Sequence, residues 1–476
     1  MLAYLLYPKF LGDDTFIHIG FIKDLAAGKG FSFAGTKTYG STSPLWVILG
    51  AILTKLFFTP ETAVRVLSSF FSFTTIYLLY IALANNKIER KIAFVAIVSL
   101  AFNSFFLRWA LSGMEVSAAM SLLLLIYILF DEQKSKFNWY SGGLIFGLAI
   151  LIRPEFLGFL FIFIVYSFFA FPDRWKDLFI SALISFVFIS GWLLFSYFYF
   201  GTIIPNTYLA KAGGSLFGLT FEHTVRTLKL FAAGNLPEII LVVLLLFAVI
   251  YYRKSNARNS KFITEYFAAI RKGRLLLPFL WVSGFYLFYI LKDVTVISRY
   301  SLILVPFVIL ISATLFDRIR FYFSARIKLL FLSVYLSAAI VGYGLITFKV
   351  VKPASNEFVK GFQTTYKEMA LIIKKDSGNR KTTVALTDVG IIGCYSGAKV
   401  YDFAGLVDDS RFKFKSSYDY VKTKKPDYII LRGGFKPDEI IPRKTNRTIL
   451  FTKKIGGFGI NDSLPRTVKL YKLFWK

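Results

Sequence analysis

The sequence predicts an all-α polytopic membrane protein with about eleven transmembrane helices, followed by a small soluble α/β domain at the C-terminus. Hydrophobic residues make up 56% of the 476 residues, which is more apolar surface than a soluble chain of this length can bury. Apolar runs of about 17–23 residues recur along the chain, and helices of that length cross the hydrocarbon layer of a bilayer. Residues 350–476 differ, because short strand-like runs there alternate with glycine-rich turns.

The apolar runs divide the first part of the chain, 1–349, into spans joined by short loops. Residues 1–10 are only about half a span long, so we expect the chain to begin late within its first helix. The segment 44–58 is short and starts with a proline, which indicates an interfacial or re-entrant helix within an external first loop, 11–64. The remaining predicted spans are 65–84, 91–107, 115–130, 138–152, 155–171, 176–199, 236–252, 275–291, 300–316 and 327–348.

The distribution of positive charge predicts the orientation of these spans. The net charge is +29, and basic residues concentrate in five loops that fall on one side of the predicted membrane. The positive-inside rule places those loops in the cytoplasm, so the first loop and the domain 350–476 are predicted to be external. The chain carries no nucleic-acid-binding motif, and its charge pattern suits contact with anionic lipid. The five loops are 85–91, 131–136, 171–177, 252–274 and 317–328.

The C-terminal domain is predicted from three strand patterns and one helical pattern. TTVALTD (382–388), AKVYDF (398–403) and DYIILRGG (427–434) read as strands, and 357–375 reads as a helix. Cys394 is the only cysteine, which excludes an internal disulfide bond, and two histidines are too few for a usual zinc site.

Two adjacent carboxylates, Asp13 and Asp14, open the predicted external loop. An N-terminal position on a helix favours both, since an aspartate there can cap backbone N–H groups or interact with the helix dipole. Neighbours on a helix point about 100° apart, so one carboxylate can cap while the other faces a cavity as a general base. Asp13 sits where a cap is expected, so if either carboxylate proves to be a base, we prefer Asp14.

Several motifs along the chain resemble those of the GT-C superfamily of membrane glycosyltransferases. The similarity is greatest to the bacterial branch that includes terminal arabinofuranosyltransferases, in which an Asp-Asp pair leads a helix and a Thr-Ser-Pro-Leu-Trp box follows. That box is 42–46 here. Further matching pieces occur in order: LSGMEVSAAMSLLLL (111–125), LIRPEFLGF (151–159), GTIIPNTYLAKAG (201–213), SRYSLILVPF (298–307) and TDVGIIGCYSGAKVYDFAGLVD (387–408).

The resemblance implies transfer of a sugar from a polyprenyl-phosphate donor to a glycan, lipid or protein acceptor at the outer face of the cytoplasmic membrane. It implies that an acidic residue of the first loop, Asp13 or Asp14, is the catalytic base. Departure of a phosphate needs no acid but does need cations, so Arg153, Lys211 and Arg299 are predicted to bind the donor phosphate. Each has a simpler alternative: Arg153 could pair with Glu155, Lys211 could be solvated, and Arg299 could anchor a span end.

Four further residues are candidates for substrate contact: Glu115, Asn206, Tyr300 and Asp402. Glu115 could instead cap a helix, Asn206 could form a turn, and Asp402 could end a strand structurally. We assign no metal ligands, although an acidic pair could hold a divalent ion. Two other functions stay open, namely a transporter or flippase for lipid-linked or anionic solutes, and a non-catalytic assembly factor with the same fold. A transporter would place charges near mid-span, whereas these lie at one surface.

Overall fold

A computed structural model describes residues 2–130, 135–211, 220–255, 275–292, 296–320, 323–459 and 464–475. Helices dominate as far as residue 377, and a mixed sheet follows. The early helices are Leu2–Leu6, Asp13–Ala26, Pro44–Leu56, Pro60–Asn85, Arg90–Phe102, Ser104–Trp109, Val116–Leu129, Lys136–Ile152, Phe156–Ala170 and Trp175–Phe200. The later ones are Asn206–Lys211, Phe221–Gly234, Leu236–Ser255, Leu276–Lys292, Ser298–Leu302, Val305–Ile319 and Ala325–Ser377.

The count of about eleven spans stays a prediction, although most predicted spans coincide with apolar helices. Within the described ranges, Pro60–Asn85, Pro172–Phe200 and Ala325–Ser377 are each long and apolar enough to cross a membrane. A fourth candidate is Phe221–Gly234 with Leu236–Ala248, a pair bent by 90°. The other apolar helices are shorter, and large hydrophobic side chains such as Phe73, Phe169 and Phe198 are exposed on the surface, as lipid-facing residues are.

Two predicted spans are interrupted. The span predicted at 91–107 breaks at Asn103, whose side chain accepts hydrogen bonds from Phe105 N and Phe106 N, both at 3.0 Å, and so starts a new helix at Ser104. The span predicted at 300–316 is divided into Ser298–Leu302 and Val305–Ile319, and the second piece has a proline in its first turn. Both breaks lie beside the candidate site.

The helix Ala325–Ser377, called the long helix below, corrects a prediction of two separate helices. The predicted span 327–348 and the predicted helix 357–375 are parts of one helix of 53 residues. Residue 350, the predicted domain boundary, therefore lies inside continuous helix. The helix contains turns of π-helix at Ala338–Gly342, Thr347–Val351 and Phe358–Gln363.

The C-terminal region contains the three predicted strands and, after them in the chain, two strands that were not predicted. Strands β1 (Ser32–Phe33) and β2 (Thr36–Lys37) form a hairpin in the first loop. The C-terminal sheet has the order β4-β3-β5-β7-β6, in which β3 is parallel to β4 and β5. Its members are β3 (Thr383–Leu386), β4 (Lys399–Asp402), β5 (Tyr428–Arg432), β6 (Asn446–Ile455) and β7 (Arg466–Phe474). The last two contain many charged residues, which hid their alternation.

The first loop and the C-terminal domain share one hydrophobic core. The helix Asp13–Ala26, called the first-loop helix, contributes Phe16 and Ile19, and the long helix contributes Met369. The helix Val389–Tyr395, called the docking helix, lies between β3 and β4 and packs against the first-loop helix. Cys394 Sγ donates to Phe16 O at 2.9 Å across this contact. The domain is thus held directly over the start of the first-loop helix.

Candidate active site

The turn before Glu115 is fixed by the first loop. Thr15 Oγ1 donates to Ser112 O at 2.7 Å, and Trp46 Nε1 donates to Gly113 O at 3.1 Å. Trp46 belongs to the predicted Thr-Ser-Pro-Leu-Trp box, so this contact gives the box a structural role. The turn in consequence presents the Glu115 side chain to a buried space beside the first-loop helix.

Glu115 and Arg153 form a buried ion pair. Arg153 Nη1 lies 2.8 Å from Glu115 Oε1, and the two side chains are only 5% and 6% exposed. Arg153 also binds Glu155 through Nη2 at 2.6 Å and Nε at 3.3 Å. His18 Nε2 lies 3.2 Å from the other Glu115 oxygen. Two carboxylates thus neutralise Arg153, and the predicted alternative of pairing with Glu155 is part of the structure.

Arg299 lies beside this network and has one carboxylate partner. Its Nη2 donates to Asp14 in an ion pair and to Tyr300 Oη at 3.3 Å. Arg299 Nε is buried and has no acceptor within hydrogen-bond distance among the described residues. The Tyr300 ring lies between the two guanidinium groups, with Arg299 at 5.2 Å and Arg153 at 4.9 Å from its centroid. The structure brings together Asp14, Arg299, Tyr300, Arg153 and Glu115.

Asp13 does not cap the first-loop helix, which corrects the prediction. Gly12 is the N-cap residue, and no side chain makes a capping hydrogen bond. Asp13 Oδ1 is buried without a hydrogen-bond partner. Burial and the nearby carboxylates of Asp388 and Asp14 raise the pKa of Asp13 well above its usual value, against the opposing effect of Arg299 and Arg432. The original reason for preferring Asp14 as the base is thereby removed.

Asp388 reaches the site from the C-terminal domain. It precedes the docking helix, and Arg432 Nη1 lies 3.0 and 3.1 Å from its two oxygens. Tyr366 Oη, on the long helix, donates to the same carboxylate at 2.8 Å. A Cβ atom at Gly390, two residues later, would lie only 2.9 Å from Asp13 O. Arg432 on β5 and Tyr366 on the long helix therefore hold Asp388 beside Asp13.

Two predicted site residues, Asn206 and Asp402, lie outside this cluster. Asn206 Nδ2 donates to Thr38 Oγ1 at 3.0 Å, which ties the helix Asn206–Lys211 to the first loop. Asp402 accepts hydrogen bonds from Ala404 N and Val407 N at 2.8 and 3.1 Å, so its carboxylate is used by its own turn. Burial raises the pKa of Asp402 to about 6, in spite of these bonds. The Lys211 side chain lies outside the described residues.

His18, Asp388 and Arg432 were not predicted as site residues. His18 lies one helical turn after Asp14, and that spacing places both on one face of the first-loop helix, so the sequence contained a signal for it. Asp388 and Arg432 have no local signal in the sequence, because the docking of a distant domain brings both to the site. Within the described part of the chain, no group of three His, Cys, Asp or Glu side chains could hold a metal ion.

Two family models match parts of the chain. Residues 41–198 match the family described as dolichyl-phosphate-mannose-protein mannosyltransferase, and residues 356–471 match a domain of unknown function (DUF8728). No curated protein matches the sequence. The second match begins within the long helix and ends in β7, so it includes the shared contact with the first loop.

Two solved structures share the fold over almost the whole chain. ArnT from Cupriavidus metallidurans bound to undecaprenyl phosphate has a TM-score of 0.62 at 11% identity, covering 98% of this chain and 96% of that one. The apo state of the same protein gives 0.65 at 12% identity, with 98% and 95% covered. The resemblance predicted from the sequence is confirmed: this chain has the fold of the GT-C membrane glycosyltransferases, to which ArnT belongs.

Proposed function

We propose that the protein transfers a sugar from a polyprenyl-phosphate donor to a hydroxyl group of a glycan, lipid or protein acceptor. The chain is a multi-pass membrane protein, and we place the reaction at the outer face of the cytoplasmic membrane, where the positive-inside rule puts the first loop. The family match at 41–198 and the fold of a protein solved with undecaprenyl phosphate support a lipid-linked donor. Nucleic acid has no part in this function.

The observation that carries the proposal is the environment of Arg299. This buried guanidinium keeps its Nε without an acceptor, although Asp14 and Tyr300 occupy Nη2. Guanidinium binds phosphate oxygens through two parallel hydrogen bonds, so the remaining donors fit a donor phosphate. Asp14 orients the group and Tyr300 supports its face. Arg153, already bound by two carboxylates, contributes positive potential more than direct contact.

Asp13 is the base in this proposal. The acceptor hydroxyl oxygen attacks the anomeric carbon, its proton passes to Asp13, and the bond from that carbon to the phosphate oxygen breaks. The polyprenyl phosphate leaves with the electron pair, and Arg299 stabilises its charge. Burial and neighbouring carboxylates raise the pKa of Asp13 well above its usual value, so this carboxylate accepts a proton more readily than an ordinary aspartate does. Sugar, acceptor and any divalent ion are left open.

Donor binding tests the proposed role of Arg299. Binding of a short polyprenyl phosphate to purified protein should weaken by about 2–4 kcal/mol in Arg299→Gln, since a partly desolvated bidentate contact is lost. A matched control is Arg174→Gln, which removes a partly exposed arginine paired with Asp177 in a loop predicted to be cytoplasmic. Equal affinity of Arg299→Gln and wild type would contradict the donor site.

A further inference from the structure

Arg108 is a buried cation without a counter-ion among the described residues. It lies on the helix Ser104–Trp109 and is 8% exposed. Its guanidinium rests over the rings of Phe10, at 4.7 Å from the centroid, and Trp109, at 5.3 Å. No described carboxylate lies within ion-pair distance of it, whereas Arg153 and Arg299 each have one or more. Aromatic faces compensate only part of the cost of burying a charge.

Two buried hydroxyl groups accompany this cation and also lack partners. Tyr7 and Thr347 are each 2% exposed, and Tyr7 Oη, Thr347 Oγ1 and Arg108 Nε make no hydrogen bond of ordinary length within the described structure. The two hydroxyl groups lie near each other and near Arg108, and a long contact between them would use only one of their two protons. The helices Leu2–Leu6 and Thr347–Val351 both pack against Ser104–Trp109, so three separate segments bring these groups to one place.

The common feature of the three groups is that each has a proton to donate. Native proteins leave few buried polar atoms unpaired, and a cluster of such atoms indicates a position that binds water or an ion. Water could satisfy the hydroxyls, but it would not neutralise the guanidinium. An anion with several acceptor oxygens satisfies both requirements. Carboxylate and phosphate both match the planar guanidinium, and phosphate has further oxygens for the two hydroxyl groups.

The cluster lies next to the donor site and is separate from it. Trp109 Nε1 donates to Ser298 Oγ at 3.0 Å, so the residue after Arg108 contacts the residue before Arg299. A second guanidinium is nearby, because Arg65 Nη2 donates to Phe10 O at 3.4 Å. These contacts place the cluster beside the candidate active site, on the side of the membrane that the positive-inside rule predicts to be external.

We propose that Tyr7, Arg108 and Thr347 form a second anion site, which binds the phosphate group of a lipid phosphate ester beside the donor site. Binding there does not require that the protein transfer sugar, so the site stands or falls independently of the proposed function. A lipid ester and free phosphate share the group that the guanidinium recognises, and the hydrophobic surroundings favour the lipid.

The test is the binding of geranylgeranyl phosphate to purified Arg299→Gln protein, in which the donor site is disabled. We expect this variant to retain saturable binding, and the further change Arg108→Gln to weaken it roughly tenfold or more. Tyr7→Phe and Thr347→Val each remove only one hydroxyl group, and each should weaken binding roughly three- to tenfold. They keep the test valid if Arg108→Gln fails to fold. The control is Thr74→Val, which removes an exposed hydroxyl bonded to Phe70 O on the helix Pro60–Asn85.

Two further probes distinguish a site for a lipid phosphate ester from a site for free phosphate. Inorganic phosphate that binds as tightly as the ester would show a free-ion site at the same residues. Weaker binding of inorganic phosphate than of the ester, together with no binding of geranylgeraniol, would show that the site binds a lipid phosphate. Loss of all binding in Arg299→Gln, or retained binding that Arg108, Tyr7 and Thr347 variants leave unchanged, would overturn the proposal.

Discussion

Asp13 and Asp14 are adjacent in the sequence, but Asp14 pairs with an arginine whereas Asp13 lies near another carboxylate. Because successive residues of a helix point about 100° apart, Asp14 faces Arg299 while Asp13 faces Asp388 on the C-terminal domain. The sequence was sufficient to locate the pair, Arg299 and Arg153. It was insufficient to assign roles within the pair, since these depend on Asp388 and Arg432, which are more than 370 residues away along the chain.

The effect of Asp388 on Asp13 can be measured as a pH dependence. Asp13 acts as a base only when deprotonated, so transfer rises with pH through its raised pKa. Asp388→Asn removes a nearby negative charge and lowers the pKa of Asp13, so the acidic limb of the rate profile should move to lower pH. Asp376→Asn, a change at a carboxylate paired with Lys472, is the control. An unmoved limb in Asp388→Asn would disprove the coupling.

Removing the charge of Arg153 and removing that of Arg299 should lower the folding stability by different amounts. Arg153→Gln leaves Glu115 buried without its cation, which typically costs about 3–5 kcal/mol of folding free energy. Arg299→Gln should cost less stability, because its partner Asp14 is 39% exposed and water can solvate it. Thermal or denaturant unfolding of the two variants checks the order. A greater loss in Arg299→Gln would contradict this division between a structural and a substrate-binding arginine.

At the scale of elements, the length of the apolar runs predicted the helices well, but it did not predict where the helices are interrupted. The breaks at Asn103 and near Leu304 depend on a cap and a proline inside apolar runs. The long helix was divided in the prediction because its polarity changes near residue 350, although its backbone continues. Strands β6 and β7 were missed because their lysines and arginines obscure the alternation.

The contact between the docking helix and the first-loop helix depends on glycine. A Cβ at Gly390 would lie 2.9 Å from both Asp13 O and Phe16 Cβ, which are not ends of flexible side chains. We therefore expect Gly390→Ala to displace the docking helix, lowering both the melting temperature and the transfer rate. Gly344→Ala, in the long helix, meets nothing within 4 Å and should be neutral or slightly stabilising. Equal behaviour of the two variants would show that the close contact is unimportant.

At the scale of the whole molecule, the shared core joins the first loop to the C-terminal domain, so both must lie on one side of the membrane. The positive-inside rule predicts that this side is external. In a Cys394→Ser background, Lys436→Cys adds an exposed thiol to the domain, and intact cells should be labelled by an impermeant reagent. Arg90→Cys, in a loop predicted to be cytoplasmic, should react only after permeabilisation. The reverse pattern would invert the topology.

The fold class and the residues that form the candidate site near Asp14 were predictable in part, because membrane length, positive loops and acidic first-loop residues are local properties of the sequence. Completion of the site by Asp388, Arg432 and Tyr366 was not, because it results from docking between distant segments. The family match at 41–198 contains Arg153 and Glu115, whereas the domain match at 356–471 contains these three residues. The candidate site therefore draws on both matched regions.

Transfer by the purified protein tests the central claim most directly. Wild-type protein, Asp13→Asn and Asp14→Asn would be incubated with a panel of polyprenyl-phosphate hexoses and pentoses and a cell-envelope extract as acceptor, and release of polyprenyl phosphate would be measured. We expect release by wild type, a loss of about 10²–10⁴-fold in Asp13→Asn at unchanged donor affinity, and weakened donor binding in Asp14→Asn. Full activity of Asp13→Asn with loss only in Asp14→Asn would restore Asp14 as the base. Undiminished release by both variants would contradict catalysis by the first loop.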